Sequence, residues 1–269
     1  MKHAAMLVEW LEHLLTRCPP ELRGFGLLRE QIGLDARAKR QHAGWAPHLR
    51  ASRAAMLQAA ARCERRELAV ILGAGTGHDV PIADLAKNFR RVVLVDVFWR
   101  PRAARRWQAL PNVTCLAVDL SGALARLWQD GKHLDDAAVL ACFAEAPPPE
   151  LPGPADLLIS ANLASQLALA PATWLARAGP RGTDFVDACE RAACRRHVSW
   201  FLAQPGVRCL VADQARVALH PDGRLAEREP LMADLNLGQP DQTWTWALAP
   251  IPEWDAKLHL HHEVGCWIR

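Results

Sequence analysis

The chain has 269 residues, 51% of them apolar, and a formal net charge of +3. That is room for one α/β domain or two small ones around a substantial buried core, and too little charge to argue for nucleic acid by itself. No apolar run reaches the roughly 18–20 residues that span a bilayer. Glu9, Glu12 and His13 break up the apolar N-terminal stretch, which excludes a secretory core and makes the cytoplasm the expected location.

Residues 1–65 read as helical. Leu7, Trp10, Leu11, Leu14 and Leu15 recur at helical spacing, and Cys18-Pro19-Pro20 ends that helix. A basic stretch follows, from Arg37 through Lys39, Arg40, His42, His48 and Arg50 to Arg53, with Trp45 among them. Pro47 is expected to open a helix running to about Arg65.

From Leu68 the pattern becomes alternating strand and helix. Leu68–Leu72 is short and wholly apolar, as a buried parallel strand is. After a glycine loop, Ile82, Leu85 and Phe89 mark one face of a helix. Val92–Val95 is a second strand ending at Asp96, and Val113–Val118 a third ending at Asp119. Between them lies a helix with Trp107 and Leu110. Leu124, Leu127 and Trp128 form the next, with Gly131 as its expected cap. The proline-rich 146–154 reads as a stiff surface loop. Asp156–Ser160 is a fourth strand, 162–178 and 183–204 are helices, and Val207–Asp213 is a fifth strand. Thr243–Leu248 and Leu258–Ile268 alternate, as an antiparallel hairpin does. Repeated strand–helix units predict a parallel, doubly wound α/β sheet, here with an antiparallel hairpin at its end.

The strongest motif is Gly73-Ala74-Gly75-Thr76-Gly77 between a strand and a helix. Glycine suits a sharp turn that a ligand approaches closely, and the helix behind it offers free N–H groups. A dinucleotide site needs a third glycine three places after the second; that place is His78. Asp96, 23 residues after Gly73, can accept two ribose hydroxyls from the end of the next strand.

The G-x-G-x-G loop, Asp96, Asp119 and the terminal hairpin resemble the class I S-adenosylmethionine-dependent methyltransferases, over residues 66–215 and more loosely beyond. The resemblance implies a Rossmann-like core, 66–269, preceded by an N-terminal helical segment, 1–65, that forms a lid or touches substrate. It implies S-adenosylmethionine held by Gly73, Ala74, Gly75, Thr76, Gly77, Asp96, Val97, Asp119, Leu120, Ser160 and Asn162, with Asp119 facing the adenine amino group and Ser160–Asn162 at the meeting point of cofactor and substrate. One departure is Ile71, where the superfamily commonly carries an acid; Asp79 is the candidate substitute, or else the cap of the next helix. Arg40, His42, Trp45 and His48 are the candidate substrate contacts. His48, Asn162 and Asp213 are candidate contributors to proton handling, and no one of them stands out as catalytic.

The expected activity is methyl transfer, most simply to a small molecule. An RNA or protein substrate gripped by the basic N-terminal region, and a non-catalytic binding role, are the alternatives; a nicotinamide dehydrogenase is disfavoured by His78. His259, His261 and His262 crowd one strand, the first two on one face and the third on the other; they read as polar edge residues rather than a metal site. Eight scattered cysteines include no C-x-x-C pair. Cys115 and Cys209 are expected to be buried in strands, and Cys189 and Cys194 in the core.

Overall fold

The computed structural model describes residues 12–232 and 234–269. The expectations placed on Leu7, Glu9, Trp10 and Leu11 lie outside the described residues. Helices α1 (Pro20–Gly24), α2 (Leu27–Arg40) and α3 (His42–Ala61) precede the first strand. The core then runs β1 (Leu68–Leu72), α4 (Ile82–Asn88), β2 (Arg91–Asp96), α5 (Pro101–Gln108), β3 (Val113–Ala117), α6 (Leu124–Asp130), α7 (Asp136–Ala144) and β4 (Leu157–Ala161). A short 3-10 turn (Ala164–Gln166) leads to α8 (Leu169–Ala178), α9 (Thr183–Leu202), β5 (Val207–Leu219), β6 (Leu225–Pro230), β7 (Gln242–Ala249) and β8 (His259–Ile268).

The strands form one sheet in the order β3-β2-β1-β4-β5-β8-β7, with β6 paired to the far part of β5. The first five pair in parallel, and β8 pairs antiparallel with both β5 and β7, so β7 runs in the direction of the first five. The central parallel strands are mostly apolar because helices cover both faces. Ile71, Leu94, Ile159 and Val211 pack on one side with α3 and α4. Val70, Leu72, Val93, Leu158 and Leu210 pack on the other with Val198 and Phe201 of α9. Chain order reverses between β1 and β4, which opens a crevice at their carboxyl ends, the standard ligand position in such sheets.

The sequence reading and the structure differ at several points. α3 starts at His42, so Pro47 lies inside it; α2 ends at Arg40, and a single Gln41 makes the corner between them. β5 does not stop at Asp213. A bulge between Asp213 and Ala215 re-aims it, and it continues to Leu219 to pair with β6. β6 is polar and exposed, so no apolar pattern announced it. The stretch 162–178 is split into the 3-10 turn and α8. Gly131 does cap α6, at φ −56° and with its N–H on the Leu127 carbonyl; a Cβ there would sit 2.4 Å from that oxygen. Cys115 is only half-buried because β3 is a sheet edge, whereas Cys189, Cys194 and Cys209 are buried. No helix among the described residues is long and apolar enough to cross a membrane.

Phe201 is fully buried between α9 and the sheet. Phe201→Ala is expected to remove about 3–5 kcal/mol of stability, read as a lower urea midpoint with an unchanged denaturant slope.

Candidate active site

The glycine loop leaves β1 and folds back under the end of β2. Gly73 N–H and Ala74 N–H donate to the Val95 carbonyl at 2.9 and 3.2 Å, and Gly77 N–H donates to Ala74 O. Gly73, Gly75 and Gly77 all have positive φ (72°, 51° and 73°). At Gly73 a Cβ would meet Leu163 Cβ at 2.8 Å, and at Gly77 it would strike Trp107 and Ile82 at 2.6 and 2.7 Å. The first and third glycines thus allow close packing, and the second allows the turn.

Asp96 closes the loop. Its Oδ2 accepts the Gly75 N–H at 2.6 Å and its Oδ1 accepts the Val97 N–H at 2.8 Å. Burial pushes the carboxyl up to about 6, against the opposing pull of these backbone donors. Gln31 of α2 reaches over it, donating to Phe98 O at 3.1 Å with its amide nitrogen 3.5 Å from Asp96 Oδ1.

No family model and no curated protein matches the chain. Solved structures similar to it include the 1,6-didemethyltoxoflavin-N1-methyltransferase of Burkholderia thailandensis, with bound S-adenosylhomocysteine. It is 17% identical, with 85% of this chain and 86% of that chain covered and a TM-score of 0.35. The N-methyltransferase NodS of Bradyrhizobium japonicum WM9, in complex with S-adenosylhomocysteine, is 12% identical, with 80% and 86% covered and a TM-score of 0.37. At that level of likeness the strand order, the antiparallel β7–β8 pair and the loop under Asp96 fix the fold, rather than the superpositions. The chain has the class I methyltransferase fold.

In this methyltransferase fold the crevice holds two adjoining cavities. The larger, about 260 Å³, is lined by Gly73, Ala74, Gly75, Thr76, His78, Asp79, Asp96, Val97 and Asn162 from the core, and by Leu27, Glu30, Gln31, Leu34, Trp45, His48 and Leu49 from α2 and α3. Trp246 of β7 completes it. The smaller, about 70 Å³, shares Gly73, Asp96 and Val97 and adds Asp119, Leu120, Ser121, Leu124 and Pro171. Asp96 therefore stands where the two meet.

The sequence-chosen residues divide. Gly73, Ala74, Gly75, Thr76, Asp96, Val97, Asp119, Leu120 and Asn162 all line one cavity or both. Gly77 packs against Trp107 and Ile82 instead. Ser160 is fully buried and its hydroxyl is 2.9 Å from His197 Nε2, facing away from the crevice. Asp119 reaches the smaller cavity, but its carboxylate is engaged: it accepts from Ser121 N–H, Ser121 O–H and Leu124 N–H at 2.9, 2.6 and 2.9 Å. It holds the turn into α6, which competes with the adenine contact expected of it. Asp79 caps no helix; its Oδ2 accepts from Asn162 Nδ2 at 2.8 Å across the crevice. Asn162 sits at φ 48°, a left-handed position that asparagine tolerates better than most residues.

Of the four candidate substrate contacts, Trp45 and His48 line the larger cavity and Arg40 and His42 do not. Arg40 pairs with Glu253 at 2.8 Å, and His42 is exposed. Among the described residues no cluster of three or more His, Cys, Asp or Glu could hold a metal. His262 sits against Asp213 at 2.9 Å, and His259 Nδ1 accepts from Ile251 N–H.

Sequence reasoning read 1–65 as helical but singled out none of the α2 residues that line the cavity. Leu27, Gln31 and Leu34 reach the cavity from successive turns of one helix face, a spacing visible in the sequence. The helix is also pinned to the loop: Asp35 bonds His78 Nε2 at 2.8 Å and pairs with the buried Arg100. From α3, Arg53 donates to the His78 carbonyl.

Gly77→Ala combines a strained φ with two steric clashes, so it is expected to cost more than the usual 1 kcal/mol or so of a surface change. The expected readout is a drop in melting temperature of several degrees.

Proposed function

We propose that this chain transfers a methyl group from S-adenosylmethionine to a small molecule. The observation that carries the reading is Asp96, poised between the two cavities with one oxygen holding the glycine loop in place. A carboxylate there suits the two ribose hydroxyls, leaving the smaller cavity, with its Leu120, Leu124, Val97 and Pro171 walls, for a flat base. The larger cavity then receives the methionine end and the methyl-accepting molecule.

The charge of the lining supports this reading. Glu30, Asp79 and Asp96 contribute to the wall of the larger cavity, and among the described residues no Lys or Arg lines it. Such a wall favours a sulfonium cation and disfavours a pyrophosphate or a nucleic-acid phosphate. Arg40, one of the candidate substrate contacts in the basic stretch, pairs with Glu253.

The bound cofactor supplies a methyl group on a sulfonium that is already a good leaving group. The chain's own part is to bind, orient and exclude water. Asp96 and the loop fix the nucleoside. Asn162, held by Asp79, and the Trp45–His48–Trp246 wall border the space where the methyl-accepting atom must sit. Gln31 and the rest of α2 cover the crevice from solvent.

Calorimetry is expected to show binding of S-adenosylhomocysteine and S-adenosylmethionine and much weaker binding of NAD; tightest binding of NAD overturns the reading. Asp96→Asn is expected to weaken S-adenosylhomocysteine about ten- to a hundred-fold, the usual worth of hydrogen bonds to a charged group.

Affinity is also expected to fall as pH drops through about 6. The raised carboxyl takes up a proton there and can no longer accept from both hydroxyls. An affinity flat from pH 8 to pH 5 contradicts that role for Asp96.

A further inference from the structure

Trp45, His48, Leu49, Asn162 and Trp246 line the larger cavity only, and so stand apart from the junction at Asp96. We propose that they form the subsite for the methyl-accepting molecule, and that it takes a flat, uncharged ring whose edge carries a hydrogen-bond acceptor beside an N–H or O–H donor. The proposal rests on the methyl-transfer reading for the role of the bound molecule, and on the wall alone for its chemistry.

Flatness follows from the wall. The His48 ring lies parallel on Trp246, with centroids 4.1 Å apart and planes 6° from parallel. Trp45 meets Trp246 edge-on at 5.0 Å. Trp45 is itself fixed, donating its indole N–H to Leu248 O at 3.0 Å. Rigid aromatic surfaces of this kind favour planar partners in offset or edge-to-face contact.

The polar pattern follows from two side chains whose hydrogen-bonding sense is set by their other partner. An indole N–H can only donate. Trp244 Nε1 donates to His48 Nδ1 at 2.9 Å, so a neutral His48 carries its proton on Nε2. Burial lowers the His48 pKa, opposed by the carboxylates of Asp79 and Asp213 and reinforced by His262, the charged groups that face the ring. His48 Nε2 is thus a donor rather than a base, and it has no hydrogen-bond partner among the described residues. Asn162 Nδ2 is committed to Asp79, which turns Oδ1 the other way as an acceptor, again without a partner. Both side chains are more than nine-tenths buried, with 1% and 8% exposed. Trp246 Nε1 is a third buried atom without a partner, and adds a donor. Unmet polar atoms at this depth are costly; these are closed to solvent, so a ring edge offering an acceptor and a donor answers them where those side chains turn toward the cavity their residues line.

Charge follows from the surroundings. The carboxylates of the lining repel an anion. Asp79 is already shared with Asn162, and the buried N–H donors His48 Nε2 and Trp246 Nε1 give a cation nothing to bind.

The test uses four probes of similar size on the full chain, with and without S-adenosylhomocysteine: 2-quinolone, 1-methyl-2-quinolone, quinoline-2-carboxylate and tryptamine. Calorimetry is expected to show 2-quinolone binding best. Its N-methyl analogue, which lacks the donor, should bind about ten- to a hundred-fold more weakly. His48→Phe, which keeps a stacked ring and removes the donor, should weaken 2-quinolone about ten-fold. Equal binding of the N-methyl analogue, a preference for the carboxylate or the amine, or no binding by any probe overturns the proposal. Nitrogen-15 NMR gives a readout that needs no ligand: His48 is expected to be protonated on Nε2 and bare on Nδ1 at neutral pH, and the opposite tautomer overturns it. S-adenosylhomocysteine binding on the same sample reports separately on the cofactor reading, so the two fail independently.

Discussion

The hydrogen bond from Gly75 N–H to Asp96 is the constraint on which the crevice depends. It ties the loop that follows β1 to the end of β2, and it does so with a carboxylate that burial makes reluctant to stay charged. The bond needs a backbone that can turn left-handed at Gly75, a neighbour slim enough at Gly73 for Leu163 to approach, and parallel register between β1 and β2 so that the strand ends align. The apolar core on both faces of the sheet holds that register. In return the bond sets the partition between the two cavities, because the same carboxylate borders each of them.

A second set of constraints joins the beginning of the described chain to its end. Tryptophan does much of this. Trp45 donates to Leu248, Trp244 to His48, Trp99 to Leu116 and Trp267 to Gly238. Each indole contributes apolar area together with one directed N–H bond between separate segments, which gives a physical use for the abundance of this residue in the composition. As a result α3 is part of the main core, sharing Ala55, Met56 and Ala59 with the sheet.

The parallel core was legible because burial on both faces leaves an unmistakable signature: five short apolar runs punctuated by a glycine loop and acidic strand ends. The hairpin was legible through its alternation. Those signals fade where burial is one-sided or absent. β6 is polar and gains its place by pairing with an extended β5, and the bulge at Gln214 that makes this extension left no periodic trace. At the site, residue type and position singled out Asp96, Asn162, Trp45 and His48, which line the larger cavity. They also singled out Ser160, whose hydroxyl turns to His197, and Arg40, which pairs with Glu253. Both of those depend on partners 37 and 213 residues away in the chain, distances over which local pattern carries no information.

The position of β8 bears on how the molecule assembles. It is the latest strand in the chain, yet it lies inside the sheet, between β5 and β7. The sheet therefore cannot be completed by adding elements outward in the order they occur. Nor can Trp45 reach its carbonyl partner on β7, 203 residues away, until that insertion has taken place. Pairings of such long range carry the loop-closure entropy that slows folding. The aromatic wall is complete only when the sheet is, so a partly assembled chain would have the glycine loop and no recess beside it.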